Sequence, residues 1–220
     1  PVLTSDELLL LVDKIAAYEA SSGAWASTVA MVADNADEGG SFEDDVDALG
    51  GWIPGGYVKH RVFLSELGFG AARTQLAALW NAGLSMVNYL GHGGLDRLTG
   101  EGLLLSGDAA GLANEERLPV VVAMTCAAGR YSLPGFDCLG EALVMKEGGG
   151  AVAVWAPTGL SMNELAKRLD EGYLKARYAD GETVLGEVIG SAMEGFGTNE
   201  EERYMLHIYN LLGDPALRIK

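Results

Sequence analysis

The 220-residue sequence predicts an α/β domain with a mainly parallel sheet covered by helices on both faces. Strand-length apolar segments alternate along the chain with stretches of helical periodicity. The strand segments at residues 84–90, 119–124 and 150–156 are apolar nearly throughout instead of at alternate positions. A strand with one wet face alternates, so a strand apolar on both faces needs cover on both. With 49% apolar residues, the chain can bury one large core with a small appendage.

Each element follows from local chemistry. Thr4-Ser5-Asp6-Glu7 has the form of a capping box, with Thr4 at the N-cap and Glu7 three residues inside. Residues 8–18 carry apolar side chains at helical spacing, and Ser21-Ser22-Gly23 stops that helix. A β-like stretch at 27–33 ends in the acidic loop 34–40, and a helix is expected from Asp44 towards Trp52. Residues 58–64 read as a strand, 71–80 as a helix closed by Asn81-Ala82-Gly83, and 84–90 as a strand that runs into Gly91-His92-Gly93-Gly94. A Gly- and Asp-containing excursion at 95–116 leads to the strand at 119–124. A helix at 139–146 and a buried strand at 150–156 follow. Residues 162–209 read as mostly helical, and a last short strand is expected at 216–219. Residues 1–26 are expected to be an N-terminal helix left from, or linking to, a preceding subdomain, with the main domain at 27–220.

Thirty-one acidic against fifteen basic residues give a formal charge of −16, which repels phosphate backbones and argues against nucleic acid as partner. No apolar run has the roughly 18–20 residues of a membrane span. The chain opens at Pro1 with neither a basic segment nor an apolar one behind it, so the expectation is a domain cut from a longer precursor. Two cysteines, Cys126 and Cys138, make no disulfide scaffold.

The chemistry concentrates where strands end. In parallel sheets ligands gather beyond the carboxyl ends of the strands, and His92 and Cys126 each lie two residues past such an end. A thiol is a nucleophile only as its thiolate, and a neighbouring imidazole can take its proton and later return it to a leaving amine. Small residues surround both side chains, so a substrate backbone can come close and backbone N–H groups are exposed for an oxyanion. The bland readings are a cysteine buried as a small hydrophobe and a histidine capping a turn. A dinucleotide fingerprint at Gly91-His92-Gly93-Gly94-Leu95-Asp96 fails at its sixth position. A zinc site from His92, Cys126, Cys138 and His207 lacks a close ligand pair.

Several strings in the chain resemble landmarks of one family. The segment from Trp80 through Asn88-Tyr89-Leu90 into Gly91-His92-Gly93-Gly94 is similar to the approach to the catalytic histidine of gingipains, and Thr125-Cys126-Ala127-Ala128-Gly129 to their nucleophile turn. Gly140-Glu141-Ala142-Leu143, Gly150-Ala151-Val152-Ala153-Val154 and Leu212-Gly213-Asp214-Pro215 follow in family order, so the resemblance covers nearly the whole chain. It implies a caspase-like three-layer α/β/α sandwich and a cysteine endopeptidase acting on peptide or protein substrates. His92 would be the base, Cys126 the nucleophile, and the N–H groups of Gly93 and Cys126 the oxyanion donors. The glycine falls three residues after the nucleophile, at Gly129, where caspases have it two after; this favours gingipains over caspases. The resemblance also implies export from the cell.

The same resemblance implies cleavage after Arg or Lys, with an acidic pocket residue at the start of the first helix after the first strand. Asp45 is preferred over Asp44, and Met162 stands where the family can place an aromatic wall. No cofactor is required. The acidic loop, with Asp34, Asp37 and Glu38, has the oxygen ligands for a structural calcium ion. Asp34 and Glu38 are the candidates for orienting His92. Arg97 and Arg130, flanking the two turns, offer the opposite specificity, for an acidic side chain. The rival functions are a catalytically silent binding or assembly module of the same fold, and an amidase or transferase using the same pair.

Overall fold

A computed structural model describes residues 2–220. Its first helix, α1 (Ser5–Ala20), starts on the capping box expected from the sequence: Thr4 Oγ1 accepts the Glu7 N–H at 3.2 Å, and the Glu7 carboxylate accepts the Thr4 N–H at 3.2 Å. Strand β1 (Thr28–Ala33) follows, then α2 (Phe42–Leu49), β2 (Val58–Phe63), the single turn α3 (Leu64–Leu67) and α4 (Phe69–Ala82). Next come β3 (Met86–Leu90), three short strands β4 (Gly93–Gly94), β5 (Arg97–Leu98) and β6 (Leu104–Leu105), and β7 (Val120–Met124). The chain ends with α5 (Leu139–Val144), β8 (Ala153–Pro157), α6 (Asn163–Leu174), α7 (Leu185–Met193), α8 (Glu200–Ile208) and β9 (Tyr209–Leu212).

Six strands form one sheet in the order β2-β1-β3-β7-β8-β9. Every neighbouring pair is parallel except β8–β9, which is antiparallel. Strands β3, β7 and β8 are buried at every residue, which is why their sequences do not alternate. One face packs Met31, Met86, Val122 and Trp155 against α2, α6 and α7; the other packs Val32, Tyr89, Val121 and Val154 against α4 and α5. Crossovers between adjacent parallel strands bring the loops after β1, β3, β7 and β8 to one edge.

Helix α1 is tied to this body by Lys14, which is only 8% exposed. Its ammonium donates to the carbonyls of Val144 at 2.7 Å and Lys146 at 3.0 Å, occupying acceptors that the end of α5 leaves open. Burial pulls its pKa down to about 7, with Lys146 adding repulsion.

Two expectations need correction. The last strand is β9, before the Gly213-Asp214-Pro215 turn; of residues 216–219 only Arg218 makes a bridge, to Val184. The strand forms early because β8 offers an open edge beside Tyr209–Leu212. The excursion at 95–116 contributes β5 and β6 to a small antiparallel sheet with β4 at Gly93–Gly94, its strands too short for periodicity to reveal.

Candidate active site

Strand β3 delivers His92 through Gly91, whose φ is +154°. A Cβ at Gly91 would stand 2.4 Å from the Asp34 Cβ and 2.6 Å from the Tyr89 hydroxyl, so glycine is what lets the loops after β1 and β3 close together. The Asp34 carboxylate is buried and accepts the His92 backbone N–H at 3.1 Å. Burial raises its pKa, partly offset by the N–H groups of His92 and Asn35. Tyr89, kept protonated by burial, donates its hydroxyl to the His92 carbonyl at 2.5 Å. The His92 backbone is therefore fixed on both sides.

The ring is fixed separately. Nε2 lies 2.8 Å from the Asp37 carboxylate, and the Phe42 ring meets the imidazole edge-on with centroids 5.2 Å apart. The Gly39 N–H donates to Asp37 at 2.6 Å; this bond and then His92 hold the Asp37 carboxyl below its ordinary pKa. An ionised Asp37 on Nε2 favours the tautomer with its proton there and a basic Nδ1.

Strand β7 delivers Cys126. The next residue, Ala127, has φ +56°, a left-handed conformation uncommon for a residue with a Cβ. It is held by its N–H to the Gly159 carbonyl at 2.9 Å, and Gly129 N–H bonds the Pro157 carbonyl at 2.9 Å. A Cβ at Gly129 would come within 2.8 Å of the Ala156 carbonyl oxygen, which explains a glycine three residues after the cysteine. The Ser161 N–H donates to the Cys126 sulfur at 3.3 Å, and Ser161 Oγ is anchored on the Tyr209 hydroxyl at 2.9 Å. His92 and Cys126 line one cleft of roughly 160 Å³, walled by Phe42, Ser161, Asn163 and Ala166. Helices α2 and α6 both begin at this cleft.

The model of Peptidase family C25 matches residues 1–220. The chain belongs to peptidase family C25. No curated protein matches the sequence. Among solved structures, the Arg-specific cysteine proteinase gingipain R superposes with a TM-score of 0.84 at 21% identity, covering 99% of this chain and 54% of that one. A complex of the pro- and mature domains of a Porphyromonas gingivalis gingipain gives 0.83 at 20% identity over 99% and 55%. A third structure, described only as a protease, gives 0.82 at 16% over 99% and 54%. The caspase-like three-layer fold expected from the sequence is thus the fold of this family C25 chain, which spans about half the length of the structures it matches.

Of the residues singled out in the sequence, His92 and Cys126 come together. His92 O accepts the Thr99 N–H at 2.8 Å, which makes Gly93–Leu98 a non-hydrogen-bonded pair of the β4–β5 ladder. The Gly93 N–H therefore points away from that ladder. Asp44 is exposed, and Asp45 forms an ion pair with Lys167, so neither lines the cleft of this C25 chain. Asp44 follows Phe42 by two residues and so lies on another face of α2, while Asp45, three after it, lies on the same side about one turn further along, against Lys167. Met162 is the N-cap of α6 and packs on the core. Arg97 is paired with its neighbour Asp96 at 2.9 Å, and Arg130 is exposed.

Among the described residues no three His, Cys, Asp or Glu side chains gather as a metal cluster. Asp34 and Asp37 hold His92, and Glu38 is exposed. Asp37 is the acid that meets the imidazole, while Asp34, one of the two the sequence offers for orienting the histidine, holds its backbone. Asp37 lies in the tight Asp37–Gly40 turn, and only that turn's geometry selects one acid of a run of three.

Proposed function

We propose that this chain is the catalytic domain of a cysteine endopeptidase with a Cys126–His92 pair. The observation that carries it is the shared cleft, lined by both Cys126 and a histidine whose Nε2 is already occupied by Asp37. His92 Nδ1 takes the thiol proton, and the sulfur attacks the peptide carbonyl carbon. The backbone N–H groups of Gly93 and Cys126 stand at the two strand-end turns to receive the oxygen's developing charge. His92 then returns the proton to the leaving amine, and water hydrolyses the thioester with the same base. Asp37 keeps the imidazole in the tautomer this sequence requires and stabilises the imidazolium. Family membership supports a peptide substrate; the gingipain complex of pro- and mature domains supports a larger precursor and, with it, export.

The test is peptide hydrolysis by Cys126→Ala and His92→Ala, each checked for an unchanged circular dichroism spectrum. Both variants are expected to lose hydrolysis by at least about three orders of magnitude. Retained turnover in a folded Cys126→Ala protein overturns the proposal. The basic cleavage preference is not part of it, because Lys167 already matches the Asp45 charge.

A further inference from the structure

The side chain preceding the scissile bond must enter the cleft that adjoins the nucleophile, and this cleft is uncharged apart from the catalytic pair. Its wall is Phe42, Met124 and Ala166; its polar groups are the buried Thr125 hydroxyl, Ser161, held by Tyr209, and the amide of Asn163. The backbone makes room for that amide: a Cβ at Gly40 would lie 2.4 Å from Asn163 Nδ2. Asp45, the acid expected at the pocket floor, is engaged elsewhere. Asp45 and Lys167 lie three and four residues beyond Phe42 and Asn163, so their ion pair joins α2 to α6 about one helical turn past the cleft. The Asp45 side chain is 15% exposed, which leaves little access for a second cation.

We infer that this site, given the peptidase reading above, selects an uncharged side chain of modest size at the cleavage position, with an amide preferred, and that Asn163 is the residue that reads it. A guanidinium or ammonium group entering this partly buried cleft meets no carboxylate among the lining residues, and the acid at its rim, Asp37, is already engaged by His92 and the Gly39 N–H, so the cation loses water without gaining a free partner. A carboxamide can both donate to and accept from the Asn163 amide, while its methylene packs on Phe42 and Ala166. The volume agrees: a cavity of about 150 Å³ holds a benzene-sized group, and this one is roughly 160 Å³.

The experiment is a fluorogenic peptide panel differing only at the cleavage position (Asn, Gln, Ala, Leu, Arg, Lys, Asp), run on the parent, Asn163→Asp and Asp45→Asn. In the parent, kcat/KM for Asn or Gln should exceed that for Arg and Lys by at least about tenfold. Asn163→Asp places a carboxylate of the same size in the cleft and should reverse that order by roughly ten- to a hundredfold. Asp45→Asn should leave the order as in the parent. Cleavage led by Arg or Lys in the parent, with the order lost in Asp45→Asn, overturns this inference and leaves the peptidase standing. An order unmoved by Asn163→Asp in a protein that still cleaves removes Asn163 as the reader. No cleavage of any peptide, with Cys126 unreactive to peptidyl acyloxymethyl ketones, overturns the peptidase reading and this inference together.

Discussion

Replacing Asp170 by asparagine is expected to remove a pH dependence from the stability of the fold. Asp170 lies on α6 with no exposed surface, and its Oδ1 accepts Asn88 Nδ2 from β3 at 2.5 Å. The other two atoms of the pair, Asp170 Oδ2 and Asn88 Oδ1, have no partner in the protein. A proton on Oδ2 supplies the missing donor and makes a two-bond acid–amide pair. Burial accordingly pushes the Asp170 carboxyl up to about 7, against the Asn88 bond, which pulls it down. In an unfolded chain the group titrates near ~3.9. Between those values the folded protein holds a proton that the unfolded chain has released. Its contribution to stability is therefore full below about pH 4, falls as pH rises to about 7, and is level above. At about 1.4 kcal/mol per pH unit the fall amounts to roughly 4 kcal/mol. Asparagine reproduces the two-bond pair with no proton to lose. Urea unfolding followed by tryptophan fluorescence from about pH 4.5 to 8 should show Asp170→Asn matching the parent at the acid end and exceeding it at the alkaline end. The difference between the two proteins cancels the carboxylates they share. A difference constant across that range, or a parent more stable at about pH 8, refutes the reasoning.

Iodoacetamide should alkylate Cys126 and leave Cys138, because Cys138 is wholly buried and burial pushes its thiol up to about 12; equal labelling by peptide mass mapping contradicts this. Asp37→Asn should lower kcat by about ten- to a hundredfold with KM little changed, since it holds the base and not the substrate. The loss is placed low because the His92 and Asp37 side chains are 50% and 45% exposed. An unchanged kcat, or a change in KM alone, removes Asp37 as the positioning residue.

The parts of the fold legible in the sequence are those set by local rules. Thr4 and Glu7 announced the first helix, and the apolar runs of β3, β7 and β8 announced a covered parallel sheet. His92 and Cys126 were legible because a strand end is visible in sequence and the edge of a parallel sheet gathers such ends. The residues around them were not, since their roles depend on angles between distant segments. Asp37, not Asp34 or Glu38, meets the ring because the Gly39 and Gly40 turn folds it inwards. Asp45 meets Lys167 because two helices from opposite halves of the chain lie side by side. Asn163 gave no signal at all: it is an ordinary first residue of a helix until Gly40 is seen beneath its amide.

The left-handed backbone at Ala127 bears on how the site meets a peptide. For an L-residue that conformation lies roughly 1–2 kcal/mol above the right-handed one, and the bonds to Gly159 and Pro157 on either side keep it there. The chain turns sharply just after Cys126, and the Ser161 N–H holds its sulfur beside the cleft. The strain is borne once, when the chain folds. On the peptidase proposal, an arriving peptide would meet a cysteine whose backbone is already set and would spend none of its own affinity on setting it.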